Sequence, residues 1–90
     1  MTLAEFLKNK REDAGLSQSE VARKLGYSSP QFVSNWERGL SSPPISSAKE
    51  LCRIYKVPMT GFFEIYLEES LRGVEKDLRK KFFGGTKRRA

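Results

Sequence analysis

The sequence contains no histidine and only one cysteine, Cys52, among its 90 residues. A single cysteine excludes an internal disulfide, and without histidine the usual ligands of a zinc site and the usual catalytic bases are too few. No apolar run approaches the ~20 residues that span a bilayer, and residues 1–15 lack the apolar stretch of a secretory signal. We therefore expect a cytoplasmic protein with no metal, no cofactor, no membrane segment and no enzymatic activity.

The composition is that of one small folded domain. Hydrophobic residues make up 38% of the chain and charged residues 31%, which is ordinary for a globular protein. A chain of this length hides only ~60 to 65% of the surface that its unfolded form exposes, so its own core gives modest stability. A partner subunit would add to that stability, and we expect a homodimer.

The net charge of +6 is concentrated near the C-terminus. Residues 1–71 carry 9 basic and 9 acidic side chains, whereas residues 72–90 carry 8 basic and 2 acidic ones. Residues 84–90, with the sequence GGTKRRA, join two glycines to three basic side chains and predict a flexible basic tail. Such a tail either contacts nucleic acid or only keeps the end of the chain soluble.

The chain predicts five helices separated by short turns and no strand, so the expected fold class is all-α. Capping boxes, in which a hydroxyl and a glutamate three residues later satisfy each other's backbone N–H groups, begin the first two helices at Thr2 and Ser17. Gly15 and Gly26 end these helices. The other three helices are predicted over 30–38, 46–55 and 62–83, the last beginning near Gly61.

An extended apolar stripe follows one side of the predicted C-terminal helix. Its residues are spaced 4, 4, 3 and 4 apart, with Phe82 four residues further, and they are Phe63, Leu67, Leu71, Val74 and Leu78. The first four helices offer no partner for a stripe of this length. We therefore expect it to form the contact between two copies of the chain or to bind a second protein.

A helix-turn-helix is indicated where Gly26 separates two short helices, because Ala22 is small enough to let them cross closely. Residues 16–43, LSQSEVARKLGYSSPQFVSNWERGLSSP, resemble the phage repressor and Cro-like helix-turn-helix family of bacterial transcription regulators. The resemblance rests on Leu16-Ser17-Gln18, Val21-Ala22, Leu25-Gly26, Val33-Ser34, Glu37-Arg38-Gly39 and the proline that follows. It implies a prokaryotic regulator, nucleoid-associated when bound to double-stranded DNA, with a repressor-like domain over residues 1–61.

The turn before the third helix is one residue longer than is usual in this family, because Gly26 and Gly39 are thirteen positions apart instead of twelve. The third helix then has two possible registers, with either Phe32 or Val33 inward. Phe32 inward would push Asn35 into the core, where an unpaired amide costs ~1 to 3 kcal/mol. We therefore expect Val33 and Trp36 to be buried.

The predicted core combines the inward apolar residues of the first four helices. They are Leu3, Phe6, Leu7 and Ala14 in the first helix, Val21, Ala22 and Leu25 in the second, Val33, Trp36 and Leu40 along the third, and Leu51, Cys52 and Tyr55 in the fourth. Cys52 lies within this apolar set, so we interpret it as an inert core residue.

The outward side of the third helix carries side chains suited to reading bases. Gln31 and Asn35 each have an amide that pairs with adenine N6–H and N7 together, which is worth ~1 to 3 kcal/mol of discrimination. Ser34 lies between them, and Phe32 at the edge can touch a thymine methyl group. We predict that these four residues contact bases. The alternative, an ordinary polar helix surface, is disfavoured within the helix-turn-helix pattern.

Phosphate contacts should set the position of the third helix in the groove. Gln18 lies at the positive N-terminus of the second helix, and the resemblance assigns it a phosphate contact, although simple capping is the alternative. The other predicted phosphate contacts are Ser29, Arg38, Ser41 and Ser42. The resemblance further implies that Arg11 and Glu37 form a structural ion pair that braces the third helix.

The predicted function is sequence-specific transcription regulation, as a repressor-like homodimer that reads the major groove of a palindromic operator with its third helix. The alternative is an antitoxin or another protein-binding module, because the same fold serves both. That alternative would use a partner protein on the C-terminal helix. The polar outward side of the third helix favours DNA.

Overall fold

The computed structural model describes residues 1–84, and its elements are α1 Leu3–Asp13, α2 Gln18–Leu25, α3 Gln31–Glu37, α4 Ile45–Ile54 and α5 Met59–Phe82. No strand occurs within residues 1–84, and the expected all-α fold with five helices is confirmed. Residues 85–90 of the predicted tail lie outside the described residues. No helix of the described part is long and apolar enough to cross a membrane.

Both predicted capping boxes are present. The Thr2 hydroxyl accepts a bond from Glu5 N at 3.1 Å, and the Glu5 carboxylate accepts one from Thr2 N at 3.0 Å. The Ser17 hydroxyl and the Glu20 carboxylate repeat this exchange at 3.0 and 2.8 Å. Because each carboxylate accepts a backbone N–H, the pKa values of Glu5 and Glu20 are lowered.

The helices α4 and α5 begin earlier than the sequence predicts, because each starts directly after a proline. Pro44 and Pro58 have φ values of −60° and −62° with extended ψ, the conformation of a residue that precedes a first helical turn. Their carbonyls accept the first helical bonds, from Ala48 N at 2.8 Å and Phe62 N at 3.2 Å. Proline therefore fixes the entry of the chain into both helices.

The core lies where α1, α2 and α3 meet α4 and the start of α5. Val33 is 1% exposed and Trp36 3%, whereas Phe32 is 53% exposed, so the predicted register of α3 is confirmed. The expectation that Ala14 and Leu40 face the core is wrong, and both are exposed. Each lies beyond the last turn of its helix, where the chain changes direction.

The first turns of α5 complete the core, and the rest of the helix projects from it. Phe62 is buried, and its ring meets the Phe6 ring edge-on at 5.6 Å. Tyr66 donates from its hydroxyl to the Pro43 carbonyl at 2.7 Å, which ties α5 to the loop that follows α3. The 24 residues of α5 span ~36 Å, which accounts for much of the 54 Å length of the molecule. The stripe from Phe63 to Phe82 lies exposed on this projecting helix.

Candidate nucleic-acid interface

The turn between α2 and α3 is anchored by Tyr27. Gly26 has a left-handed φ of 88°, and Tyr27 N then donates to Ala22 O at 2.9 Å, which closes α2. The Tyr27 hydroxyl lies 3.0 Å from the Ser47 hydroxyl of α4, and its ring lies 5.9 Å from that of Trp36. The remaining turn residues, 28–30, are exposed, so the extra residue is accommodated without disturbing the core.

Sequence reasoning missed Tyr27, although a signal for it was present. A hydrophobic residue directly after a helix-closing glycine commonly packs back against the last turns of that helix. Tyr27 follows Gly26 in this way, and the Phe32 ring packs against it in a tilted arrangement, with centroids 4.9 Å apart and an angle of 37°. The ring of Phe32 is thereby held at the start of α3 while more than half of its surface stays exposed.

The two predicted base-reading amides bond to each other on the outward side of α3. Gln31 Nε2 donates to Asn35 Oδ1 at 2.9 Å, as expected for polar residues one helical turn apart. Gln31 is exposed, whereas Asn35 and Ser34 are half-buried. Gln31 keeps its carbonyl oxygen and a second N–H, and Asn35 keeps both N–H groups and a second lone pair on Oδ1. The two amides therefore form one ordered polar surface that still offers donors and acceptors.

Glu37 joins α1, α2 and α3 at the other end of α3. Its carboxylate accepts from Arg11 Nε at 2.7 Å, from Arg11 Nη2 at 3.0 Å and from Gln18 Nε2 at 3.0 Å. The remaining Arg11 nitrogen, Nη1, donates to the Leu16 carbonyl at 2.9 Å. The side chains of Arg11 and Glu37 are 12% and 3% exposed. This two-point ion pair holds the end of α3 against both preceding helices.

The ion pair also sets the electrostatics of its surroundings. The hydrogen bonds that Arg11 makes with Glu37 raise the pKa of Arg11, although partial burial of the guanidinium acts in the opposite direction. Burial raises the pKa of Tyr55, and the negative charge of Glu37 raises it further. At neutral pH Arg11 therefore carries its positive charge, and Tyr55 is a neutral phenol.

A family model described as helix-turn-helix matches residues 7–62, which is more than half of the chain. The match runs from α1 to the start of α5 and contains the whole α2–turn–α3 unit. The chain belongs to the phage repressor and Cro-like helix-turn-helix family. This helix-turn-helix protein is a DNA-binding regulator. Comparisons with curated proteins and with solved structures gave no match.

The predicted phosphate contacts of this helix-turn-helix protein lie at the edges of the α2–α3 unit. Arg38 is the exposed C-cap of α3, and Ser41 and Ser42 are exposed in the loop before α4. Ser29 is exposed, and its hydroxyl accepts a long 3.4 Å bond from Gln31 N. Gln18 is half-buried at the start of α2, and one of its two amide N–H groups is committed to Glu37. Its second N–H is not used by this bond.

Proposed function

We propose that this protein is a sequence-specific transcription regulator that reads the major groove with α3 and acts as a homodimer on a palindromic operator. The bonded amide pair of Gln31 and Asn35 on the outward side of α3 carries the proposal. Amides that donate and accept side by side match the major-groove edge of adenine. For a two-fold dimer, the half-sites would lie about one helical turn apart, ~34 to 36 Å.

The supports on either side of the amide pair favour recognition by a rigid helix. At the start of α3 the Phe32 ring packs against Tyr27, and at the end of α3 Glu37 is fixed by Arg11 and Gln18. Side chains that are held by their neighbours lose less conformational freedom on binding, so more of the contact energy remains for discrimination. Phosphate contacts from Gln18, Ser29, Arg38, Ser41 and Ser42 would then place α3 in the groove.

The homodimer is supported by the apolar stripe of α5. Its five predicted contact residues are between 41% and 59% exposed, and they are Phe63, Leu67, Leu71, Val74 and Leu78. An apolar surface of this continuity on a folded chain is typical of an interaction site. We assign it to a second copy of the same chain because a palindromic operator requires two DNA-binding units.

Selection of bound sequences from a random DNA pool tests the proposal. The wild-type protein should select a palindromic motif, and Gln31→Ala and Asn35→Ala should each relax the preference at the base that the lost amide contacts, by ~1 to 3 kcal/mol. Because the two amides are bonded, the losses in affinity should not add in the double variant. Asn9→Ala is the matched control, since it removes an exposed amide from α1. Unchanged motifs in all variants would contradict base reading by α3.

A second candidate function is supported by the same exposed stripe. A protein-binding module, such as an antitoxin, would cover the α5 stripe with a different protein and would be monomeric alone. Sedimentation separates the two functions: a monomer at high concentration that selects no DNA motif would favour the protein-binding module. A dimer that selects a palindrome would favour the regulator.

A further inference from the structure

We propose that two copies of α5 pair in antiparallel orientation, with Leu67 of one copy opposite Leu78 of the other and Leu71 opposite Val74. This inference rests on the homodimer of the proposed function and adds the direction and register of its contact. Three observations support it: the spacing of the stripe, the distribution of charge along α5 and the position of the folded body at one end of the helix.

The spacing of the exposed stripe reads the same in both directions. From Phe63 to Phe82 its six residues are 4, 4, 3, 4 and 4 apart, so the centre of the pattern lies between Arg72 and Gly73. When a second copy runs in the opposite direction about that centre, every residue of the stripe lies level with another residue of the stripe. Antiparallel pairing therefore buries the whole pattern, with Leu67, Leu71, Val74 and Leu78 along the middle of the contact.

The charge of α5 changes sign at the same centre. Residues 59–71 carry three acidic and no basic side chains, a charge of −3, whereas residues 72–82 carry five basic and two acidic ones, a charge of +3. A parallel pair would place each half beside a half of the same sign, and an antiparallel pair places it beside the opposite sign. Antiparallel helix dipoles also attract each other. Electrostatics therefore favours the antiparallel pair.

The folded body occupies one end of α5, because only Phe62, Ile65 and Tyr66 of this helix pack against the core. Antiparallel pairing consequently puts the two bodies at opposite ends of the helix pair. Met59 lies ~20 Å from the centre of the stripe at 1.5 Å per residue, so the two copies of Met59 would be roughly 40 Å apart. Two bodies held apart in this way suit two separate half-sites on DNA.

Disulfide trapping with single cysteines tests the orientation. Cys52→Ala removes the native thiol, and Leu67→Cys and Leu78→Cys are then introduced separately, one of the two proteins carrying a size tag. Both positions are exposed, so neither change affects the core, and circular dichroism checks the helix content. Oxidation of the mixture should give the disulfide between positions 67 and 78 at least tenfold above either symmetric disulfide. Two copies of position 67 would lie ~16 Å apart along an antiparallel pair, beyond the ~7 Å limit between Cα atoms.

The possible outcomes separate this inference from the proposed function. Predominant symmetric disulfides would overturn the antiparallel orientation and leave the homodimer on α5 intact. A dimer that forms neither kind of disulfide would overturn the contact through the stripe. A monomer by sedimentation would overturn the homodimer itself. Lys76→Cys, on the opposite side of α5, is the matched control and should give only background crosslinking.

The salt dependence of dimerisation provides an independent measurement with opposite signs for the two orientations. The Debye length falls from ~10 Å at about 0.1 M salt to ~3 Å at about 1 M. Screening should weaken an antiparallel dimer by about three- to tenfold in NaCl, because attraction between the halves is lost. Screening should instead strengthen a parallel dimer, and a dimer that becomes tighter as salt is added would overturn the inference. The triple variant Glu64→Gln, Glu68→Gln, Glu69→Gln removes the acidic half and should flatten the dependence.

Discussion

At the scale of single residues, Glu37 links all three helices of the DNA-binding unit. Its pairing with Arg11 could be predicted from the sequence only through the family resemblance, because the two residues are 26 positions apart. The third bond, from Gln18, had no sequence signal, since it depends on how closely the start of α2 approaches the end of α3. Polar partners that come from separate helices are fixed by packing and not by local pattern.

Removing either member of this buried ion pair should destabilise the fold strongly. Glu37→Gln leaves the Arg11 charge without its counter-ion, and Arg11→Met leaves the carboxylate with Gln18 alone, so each should lower the free energy of unfolding by about 3 kcal/mol. The double variant should lose at least 1 kcal/mol less than the sum of the single losses. Urea unfolding measures all three changes. Asp77→Asn breaks the exposed pair with Lys81 and, as the control, should cost under about 0.5 kcal/mol. Additive losses would show that the pair contributes no mutual stabilisation.

At the scale of elements, the sequence predicts the helices well where their ends carry local signals. The capping boxes at Thr2 and Ser17 are determined by residues three positions apart and are found as predicted. The register of α3 could also be predicted, because the alternative would bury an unpaired amide. The inward side of α5 could not be predicted from the sequence. This helix has two apolar sides, one with Phe62 and one with Phe63, and only tertiary packing decides which side covers the core.

The second capping box gives a prediction for α2. Ser17→Ala should cost about 1 kcal/mol in urea unfolding, because a backbone N–H at the start of the helix loses its acceptor. Ser19→Ala, an exposed neighbour without a capping bond, is the control and should change stability by less than about 0.5 kcal/mol. Equal effects of the two changes would argue against the cap.

The same capping box should make stability depend on acid pH. The pKa of Glu20 is lowered in the folded protein by its bond from Ser17 N, so its stabilising contribution is present above the unfolded value of 4.5. It is lost as the pH falls through the lower, folded value. The difference in urea midpoint between wild type and Glu20→Gln should therefore be largest at neutral pH and should disappear below about pH 4. A difference that stays constant with pH would contradict this assignment.

At the scale of the whole molecule, two parts are distinguished by what covers their apolar surface. The family match ends at residue 62, and beyond the next turn α5 has no core contact within residues 1–84. The match therefore accounts for the folded DNA-binding body, whereas the exposed stripe belongs to the rest of α5. The sequence predicts the stripe from its spacing.

Breaking the α5 stripe should separate DNA affinity from folding. Leu71→Glu with Leu78→Glu places two charges in the proposed contact, and both positions are exposed in the single chain. The double variant should therefore sediment as a monomer that keeps its helix content by circular dichroism, and its melting temperature should no longer rise with protein concentration. Its affinity for a complete operator should fall by about 10² to 10⁴, because two linked binding events become independent, while its affinity for an isolated half-site stays the same.

A charge effect on DNA binding is separated from loss of the dimer by a matched variant. Lys76→Gln with Lys80→Gln changes the net charge of the chain by the same two units, on the side of α5 away from the stripe. Sedimentation should show that it remains dimeric at the concentrations of the binding assay, and a loss of operator affinity in this dimer then reports weaker attraction to the phosphates. If the Leu71→Glu, Leu78→Glu protein still sediments as a dimer, or if both variants lose operator affinity equally, the stripe does not join the two DNA-binding units. The loss in the first variant beyond that in the second measures the contribution of the second subunit to operator binding.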